Sequence, residues 1–338
     1  MPADEAVPTG VADWRPQASL EALRRVATLR ADIRGWMNER GVLEVVTPVL
    51  SGAAPSDVHL DAFRTADGRF WLQTSPEYPM KRLLATHGVD IHQIAPVFRA
   101  GERGRHHNPE FTMLEWYRVG MDHEALMEDV ADLLETLWRR AGRPWHRPER
   151  RSCHDVVDTV LGEGAASPDA TGPFVDVARV QAHFETEGRS YPASIGDDAD
   201  AALDLLLDEF VLPALPRDRV TFLHGWPTSQ AALARIGMDG RGRAVAERFE
   251  LYVGALELGN GYHELADAAE QRVRFTHDLE RRRALGLEVP PLDERLLAAL
   301  DAGLPDCAGV AIGLERMAMA LFELGSIDEV VAFGAERA

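Results

Sequence analysis

The stretch Phe98–Arg118, FRAGERGRHHNPEFTMLEWYR, concentrates more potential chemistry than any other part of the chain. Arg99, Arg103, Arg105, His106 and His107 crowd together there, and Gly101 and Gly104 permit sharp backbone turns between them. The flanks, His92–Phe98 and Phe111–Tyr117, are rich in β-branched and aromatic residues, which predicts a hairpin with a cationic tip. Guanidinium groups bind phosphate bidentately, so such a tip suits a polyphosphate. A solvated charged loop has the same composition, and the stretch by itself leaves both readings open.

A second concentration is ERFELYVGALELGNGYHEL, residues 247–265, where Glu250, Glu257 and Glu264 recur every seven residues. Gly254, Gly259 and Gly261 argue against a continuous helix. A hairpin turning at Val253-Gly254 instead places Glu250 directly opposite Glu257 on one face. Paired carboxylates repel unless a cation lies between them, so the pair is either a metal site, with Mg²⁺ the expected ion near a nucleotide, or an exposed acidic pair. Glu264 lies an odd number of residues from Glu257 and falls on the other face of an ideal strand. A bulge at Gly259 or Gly261 would restore it and let it line a pocket with Tyr262. A third stretch, Pro305–Arg316, reads as a small-residue strand leading into a helix, with Arg316 in the first turn.

The elements that must position these groups follow from periodicity. Leu20, Leu23, Val26, Ala27, Ile33, Trp36 and Met37 share a stripe, so a helix runs from a Ser19 cap to about Arg40, closed by Gly41. Val42–Pro48 reads as a strand ended by proline. Residues 57–73 read as two short strands around Asp67-Gly68. Ser75-Pro76-Glu77 starts a helix, with Ser75 as N-cap and Pro76 at the first position. Further helices are expected from His123 to Arg139 and from Ala268 to Leu285. Residues 141–216, proline-rich with acidic helical segments, read as an inserted helical subdomain. The arginines from Arg139 to Arg151 at its entry read as a solvated linker.

Composition narrows the function. Lys plus Arg is 36 against 55 for Asp plus Glu, a net charge of −19, which disfavours broad nonspecific nucleic-acid binding. Two cysteines, Cys153 and Cys307, are too few for a disulfide framework or a cysteine zinc site, so a reduced, cytoplasmic protein is expected. Residues 1–17 read as a frayed leader without signal-peptide character. No apolar run is long enough to span a membrane.

Together, Ser19–Pro48, Phe98–Tyr117 and Gly309–Arg316 resemble the three motifs of class II aminoacyl-tRNA synthetases. The strings HNPEFTMLEWYR and TSPEYPMKRLL are most similar to lysyl-tRNA synthetase catalytic cores. The resemblance covers about residues 18–338 and leaves no room for the OB-fold that reads the anticodon in those enzymes. The length, and PDCAGVAIG before Arg316, look closer still to the elongation factor P–(R)-β-lysine ligase family, truncated paralogues of lysyl-tRNA synthetase.

The resemblance implies an α+β fold, a mostly antiparallel sheet flanked by helices with a small helical insertion. It implies a cytoplasmic homodimer that uses ATP and Mg²⁺ to activate (R)-β-lysine and transfers it to a lysine of elongation factor P, with tRNA an unlikely partner. Alternatives are tRNA aminoacylation of the lysyl-tRNA synthetase type and a catalytically silent regulatory paralogue. Carried over residue by residue, Arg99 and Arg316 are catalytic, Arg99 on the α-phosphate. Phe111 and Arg316 sandwich the adenine, and Asn108 orients ATP. Arg105 or His106 reaches the outer phosphates, and Ala100, Gly101, Glu102, Leu258 and Gly313 complete the ATP contacts. Glu250 and Glu257 hold Mg²⁺. Ser75, Pro76, Glu77, Glu115, Tyr117, Tyr262 and Glu264 receive the diamino acid, above Ala311 on the pocket floor. In synthetases glycine usually stands where Ala311 does, and a methyl there would select against α-lysine. Gly101 occupies the position of the usual motif-two glutamate, with Glu102 one place later, and Glu315-Arg316 replaces Asp-Arg.

Overall fold

The computed structural model describes residues 14–167 and 172–338. The first part of the expected leader lies outside the described residues. Its end is tied down, since the Gln17 N–H donates to Ala332 O at 2.8 Å. Helix α1 (Leu20–Glu39) is capped by the Ser19 side chain, as its polar start and apolar stripe require. Two short strands follow, β1 (Leu43–Glu44) and β2 (Leu50–Ser51), in place of the continuous strand expected over Val42–Pro48. Pro48 interrupts the ladder because it lacks the N–H. In the region expected to hold two strands, β3 (Trp71–Leu72) pairs with β2, and Arg64 forms an isolated bridge to Trp71 across the Asp67-Gly68 turn.

Helix α2 (Glu77–His87) is followed by the long hairpin β4 (Ile91–Phe98) and β5 (Glu110–Val119), and then by α3 (His123–Arg140). Strand β6 (Glu149–Ser152) and helices α4 (Cys153–Leu161), α5 (Val177–Thr186) and α6 (Ala199–Leu206) come next. The main sheet resumes with β7 (Val220–Trp226), β8 (Ile236–Met238), β9 (Ala244–Val253) and β10 (Leu256–His263). The chain closes with α7 (Ala268–Ala284), α8 (Glu294–Gly303), β11 (Cys307–Gly313) and α9 (Leu314–Phe322).

The main sheet runs β1-β4-β5-β11-β10-β9-β7-β6, with β8 on β9, and is antiparallel except for the β1–β4 and β6–β7 pairs at its edges. Alternation along the strands gives it two faces. One face presents Leu114, Trp116, Phe222, Phe249, Leu251, Val310 and Ile312 to α1, α3 and α9 in the largest hydrophobic cluster. The other face is polar along β5, β9 and β10. The segment expected as an insertion is continuous with this sheet, because β6 lies parallel to β7. Its helices build a second cluster on the sheet residues Leu223, Trp226, Ala246 and Tyr252. The arginines at its entry are ion-paired clamps rather than a solvated linker: Arg140 meets Asp32 at 2.8 Å, and Arg150 meets Glu128 at 2.8 Å.

Candidate active site

The polar face of the sheet forms the floor of a cavity of about 1140 Å³, walled by α2, the β4–β5 loop, α6 and the start of α9. Of the residues expected to act, Ser75, Glu77, Glu115, Tyr117, Tyr262, Glu264 and Ala311 line it at one end. Arg99, Glu102, His106, Asn108, Phe111, Glu250, Glu257, Leu258, Gly313 and Arg316 also line it. Pro76, Ala100, Gly101 and Arg105 do not. Pro76 is the N-cap of α2 rather than its first residue, so the helix begins one place later than expected. The Ala100 N–H is committed to Asp61 O at 2.7 Å, and Gly101 supplies a turn at φ +82°. Arg105 turns away, its Nε donating to Gly325 O at 2.5 Å, whereas His106 lines the cavity.

The substrate end is a knot of buried charge. The Lys81 ammonium is 1% exposed and lies 2.7 Å from Glu77 and 2.5 Å from Glu264. Burial alone would drive it to deprotonate, but Glu264 and Glu77 outweigh that and hold it charged. Glu115 accepts from the Ser75 hydroxyl at 2.6 Å and from the Tyr117 hydroxyl at 2.7 Å. No cation touches it, and burial, reinforced by Glu77, pushes its carboxyl up to about 7. Ser75 also accepts from the Glu77 N–H at 3.0 Å, so one hydroxyl ties the start of α2 to β5. Lys81 escaped sequence reasoning, although a lysine beside Met80 and Leu84 on the buried stripe of a helix, four residues after Glu77, was the available signal.

Glu264 reaches this knot because of a bulge. The β9–β10 register shifts between Glu257 and Gly259, which changes which residues face the cavity and brings Glu257, Tyr262 and Glu264 to one side. The turn, however, is Gly254-Ala255, so Glu257 faces Tyr252 and Glu250 faces Asn260. The expected direct opposition of Glu250 and Glu257 is therefore incorrect. They share a face diagonally.

Each of the two carboxylates already has an arginine. Glu250 is buried between Arg248 and the Tyr252 hydroxyl, and Glu257 lies 3.5 Å from Arg316. Burial still pushes Glu250 up despite Arg248, with Glu257 adding to the rise. Glu257, half-open to the cavity and on one face with Glu250, offers oxygen donors that fit a divalent cation.

At the loop end, Arg99 lies over the Phe111 ring at 5.2 Å and 3.4 Å from Glu102. Arg316 donates to Glu257 O at 3.1 Å and His106 O at 3.2 Å, which joins β10, the loop and α9. Glu315 accepts from the Thr112 N–H at 2.9 Å, so the Glu-Arg pair at the start of α9 is anchored to β5. Asn108 is engaged on both sides, donating to Glu110 O at 2.6 Å and accepting from the Ala335 N–H at 3.0 Å. Its role here is to pin the C-terminal segment to the loop. Asp198, Asp204 and Asp208, from the segment not expected to join the site, also line the cavity.

A family model described as tRNA synthetases class II (D, K and N) matches residues 5–337. The chain belongs to that family. A relative from Vibrio vulnificus, named elongation factor P–(R)-β-lysine ligase, is 43% identical and covers 95% of this chain and 98% of its own. Relatives with the same name from Klebsiella pneumoniae and Proteus mirabilis are 42% and 40% identical, each covering 97% of this chain and 99% of their own. The α+β fold expected from the resemblance is the one found, with a largely antiparallel sheet between helices. Among the described residues, no helix is long and apolar enough to cross a membrane.

Proposed function

We propose that the protein activates (R)-β-lysine with ATP and transfers it to the ε-amino group of a lysine on elongation factor P. The observation that carries this reading is the charge count at the substrate end of the cavity. Glu77, Glu115 and Glu264 supply three carboxylates against the single ammonium of Lys81. With all three ionised the remainder is two negative charges, matching the two ammonium groups of a diamino acid. The names of relatives that cover nearly the whole chain support the same substrate and acceptor.

The substrate carboxylate attacks the α-phosphorus in line, forming an acyl–phosphate bond as pyrophosphate leaves. The acceptor amine then attacks the adenylate carbonyl, losing a proton as AMP departs. Arg99 stabilises charge growing on the α-phosphate, while Phe111 and Arg316 hold the adenine between them. Leu258 and Gly313 line the nucleotide end of the cavity. Ser75, Glu115, Tyr117, Tyr262 and Glu264 fix the diamino acid, so rate enhancement comes from positioning and electrostatics. Glu257 and Glu250 would hold Mg²⁺, which when bound would supply charge neutralisation to the phosphates.

The protein acts as a cytoplasmic homodimer. Its two cysteines are buried free thiols, and Leu43 and Val46 expose apolar side chains at and just after β1. The test is transfer of labelled (R)-β-lysine and α-lysine, with elongation factor P and bulk tRNA as competing acceptors. Label from (R)-β-lysine on the protein is expected. Label from α-lysine on tRNA would move the protein to the synthetases, and absence of ATP–pyrophosphate exchange would leave a silent paralogue.

A further inference from the structure

Behind the sheet, on the face opposite the cavity, three potential metal ligands converge. His123 opens α3, Glu247 lies on β9 and His263 ends β10, and one ligand atom from each lies within 4.8 Å of the others. All three side chains are largely buried. His263 Nδ1 is 2.5 Å from Glu247, and its Nε2 is 2.9 Å from Asp306, which Arg235 holds at 2.6 Å. An ion at this place would be inserted between Nδ1 and Glu247 while Asp306 keeps Nε2, and metal-bound imidazoles commonly hold a carboxylate on the second nitrogen in this manner. The His123 ring stacks on His263 with centroids 6.5 Å apart, and its Nδ1 is buried without a hydrogen-bond partner among the described residues. A Cβ at Gly237 would come within 2.0 Å of the Glu247 carboxylate, so glycine is what gives that carboxylate its place.

We infer that His123, Glu247 and His263 form a binding site for a divalent transition-metal ion of the Zn²⁺ class, tying α3 to the β9–β10 hairpin. Two imidazoles and one carboxylate select such an ion over Mg²⁺, which prefers oxygen alone. Bond lengths of about 2.0–2.1 Å put tetrahedral ligands roughly 3.3 Å apart, so small rotamer adjustments close the triad on the ion, with water as fourth ligand. The site bears on the substrate wall through the backbone. Glu264 follows His263 directly, and its carbonyl accepts from Arg235, the arginine that orients Asp306.

The experiment is calorimetric titration of chelator-stripped full-length protein with Zn²⁺ in excess Mg²⁺, with metal analysis of the product. One Zn²⁺ per chain is expected. His123→Ala and His263→Asn should each weaken it by about 10–100-fold or more, a loss at least as large as that for removing an orienting partner. Co²⁺ should give the visible absorption of a four-coordinate ion in the parent and lose it in both variants. Glu257→Gln, in the active-site cavity, should leave Zn²⁺ binding unchanged. His123→Ala removes a ring whose Nδ1 has no hydrogen bond, and a metal-free melting curve matching the parent would verify that it folds. No Zn²⁺ on the parent, equal binding by the histidine variants, or loss of binding in Glu257→Gln would each overturn the inference. The contacts of His263 to Glu247 and Asp306 would then be purely structural.

Discussion

At the scale of single residues, the proposed substrate end rests on a balance of buried charges. Lys81 is the term that sets the count, and it is also structural, because Glu77 and Glu264 would be left as uncompensated buried charges without it. Lys81→Met should therefore cost about 3–5 kcal/mol of stability, read by urea denaturation. Burial raises two carboxyls here, Glu115 to about 7 and Glu264 to about 8, the latter even with Lys81 against it. Glu115 is an anion above its raised value of about 7 and a neutral acid below it, so it can pair with an ammonium only above. The kcat/KM for the diamino acid in ATP–pyrophosphate exchange should fall as pH drops from about 8 to about 6, because the protonated carboxyl loses that pairing. Glu115→Gln should lower the plateau and leave only the part of this limb that belongs to Glu264. Ala311 sits on the floor between Glu115 and Asn260. Ala311→Gly should shift preference towards α-lysine by about 1–3 kcal/mol, the usual range for one carbon in a tight pocket. An unchanged ratio of kcat/KM values would remove the methyl from the specificity argument.

At the scale of elements, β10 and β11 do the positioning. The bulge after Glu257 is what allows one run of chain to present the Glu257 carboxylate, the Tyr262 ring and the Glu264 carboxylate to one cavity. Strand β11 must be thin beside it. A Cβ at Gly309 would lie 2.3 Å from the Tyr117 ring and 2.6 Å from the Glu264 carboxylate. Gly309→Ala should force both side chains aside, costing about 1–3 kcal/mol in stability and raising KM for the amino acid more than for ATP. Steady-state kinetics with each substrate varied in turn would check the asymmetry. By contrast, Gly313 has no atom closer than 3.8 Å to such a Cβ, so β11 is open where it meets the nucleotide end.

At the scale of the whole molecule, the sheet divides labour between its faces. One is a hydrophobic seat for α1, α3 and α9, and the other carries the chemistry, with α2, α7 and α8 packed in a third cluster beneath the substrate wall. The apolar surface at and just after β1 belongs to neither. Val46 is 90% exposed and Leu43 56%, close together in the chain after α1, which suits a second copy of the chain. Val46→Asp should shift the protein from dimer to monomer in sedimentation velocity, with the apolar contact replaced by a charge that costs desolvation. A parent that sediments as a monomer would remove the dimer from the proposal.

The sequence by itself determined the elements whose signals are local. The stripe behind Ser19, the aromatic flanks of the cationic hairpin and the small-residue strand before Arg316 each became the expected helix or strand, because periodicity, caps and glycines act over a few residues. It also determined that Glu264 needs a bulge to rejoin Glu257, since strand parity is arithmetic. Only the tertiary structure decided the pairings. The tight turn at Gly254-Ala255 moved Glu250 off Glu257, Arg105 found the Gly325 carbonyl far along the chain, and Arg248 and Arg316 took up the carboxylates. Lys81 became the counterion of the site only when α2 packed against the sheet. Charge compensation in a buried site depends on distance in space, and a one-dimensional pattern carries no measure of it.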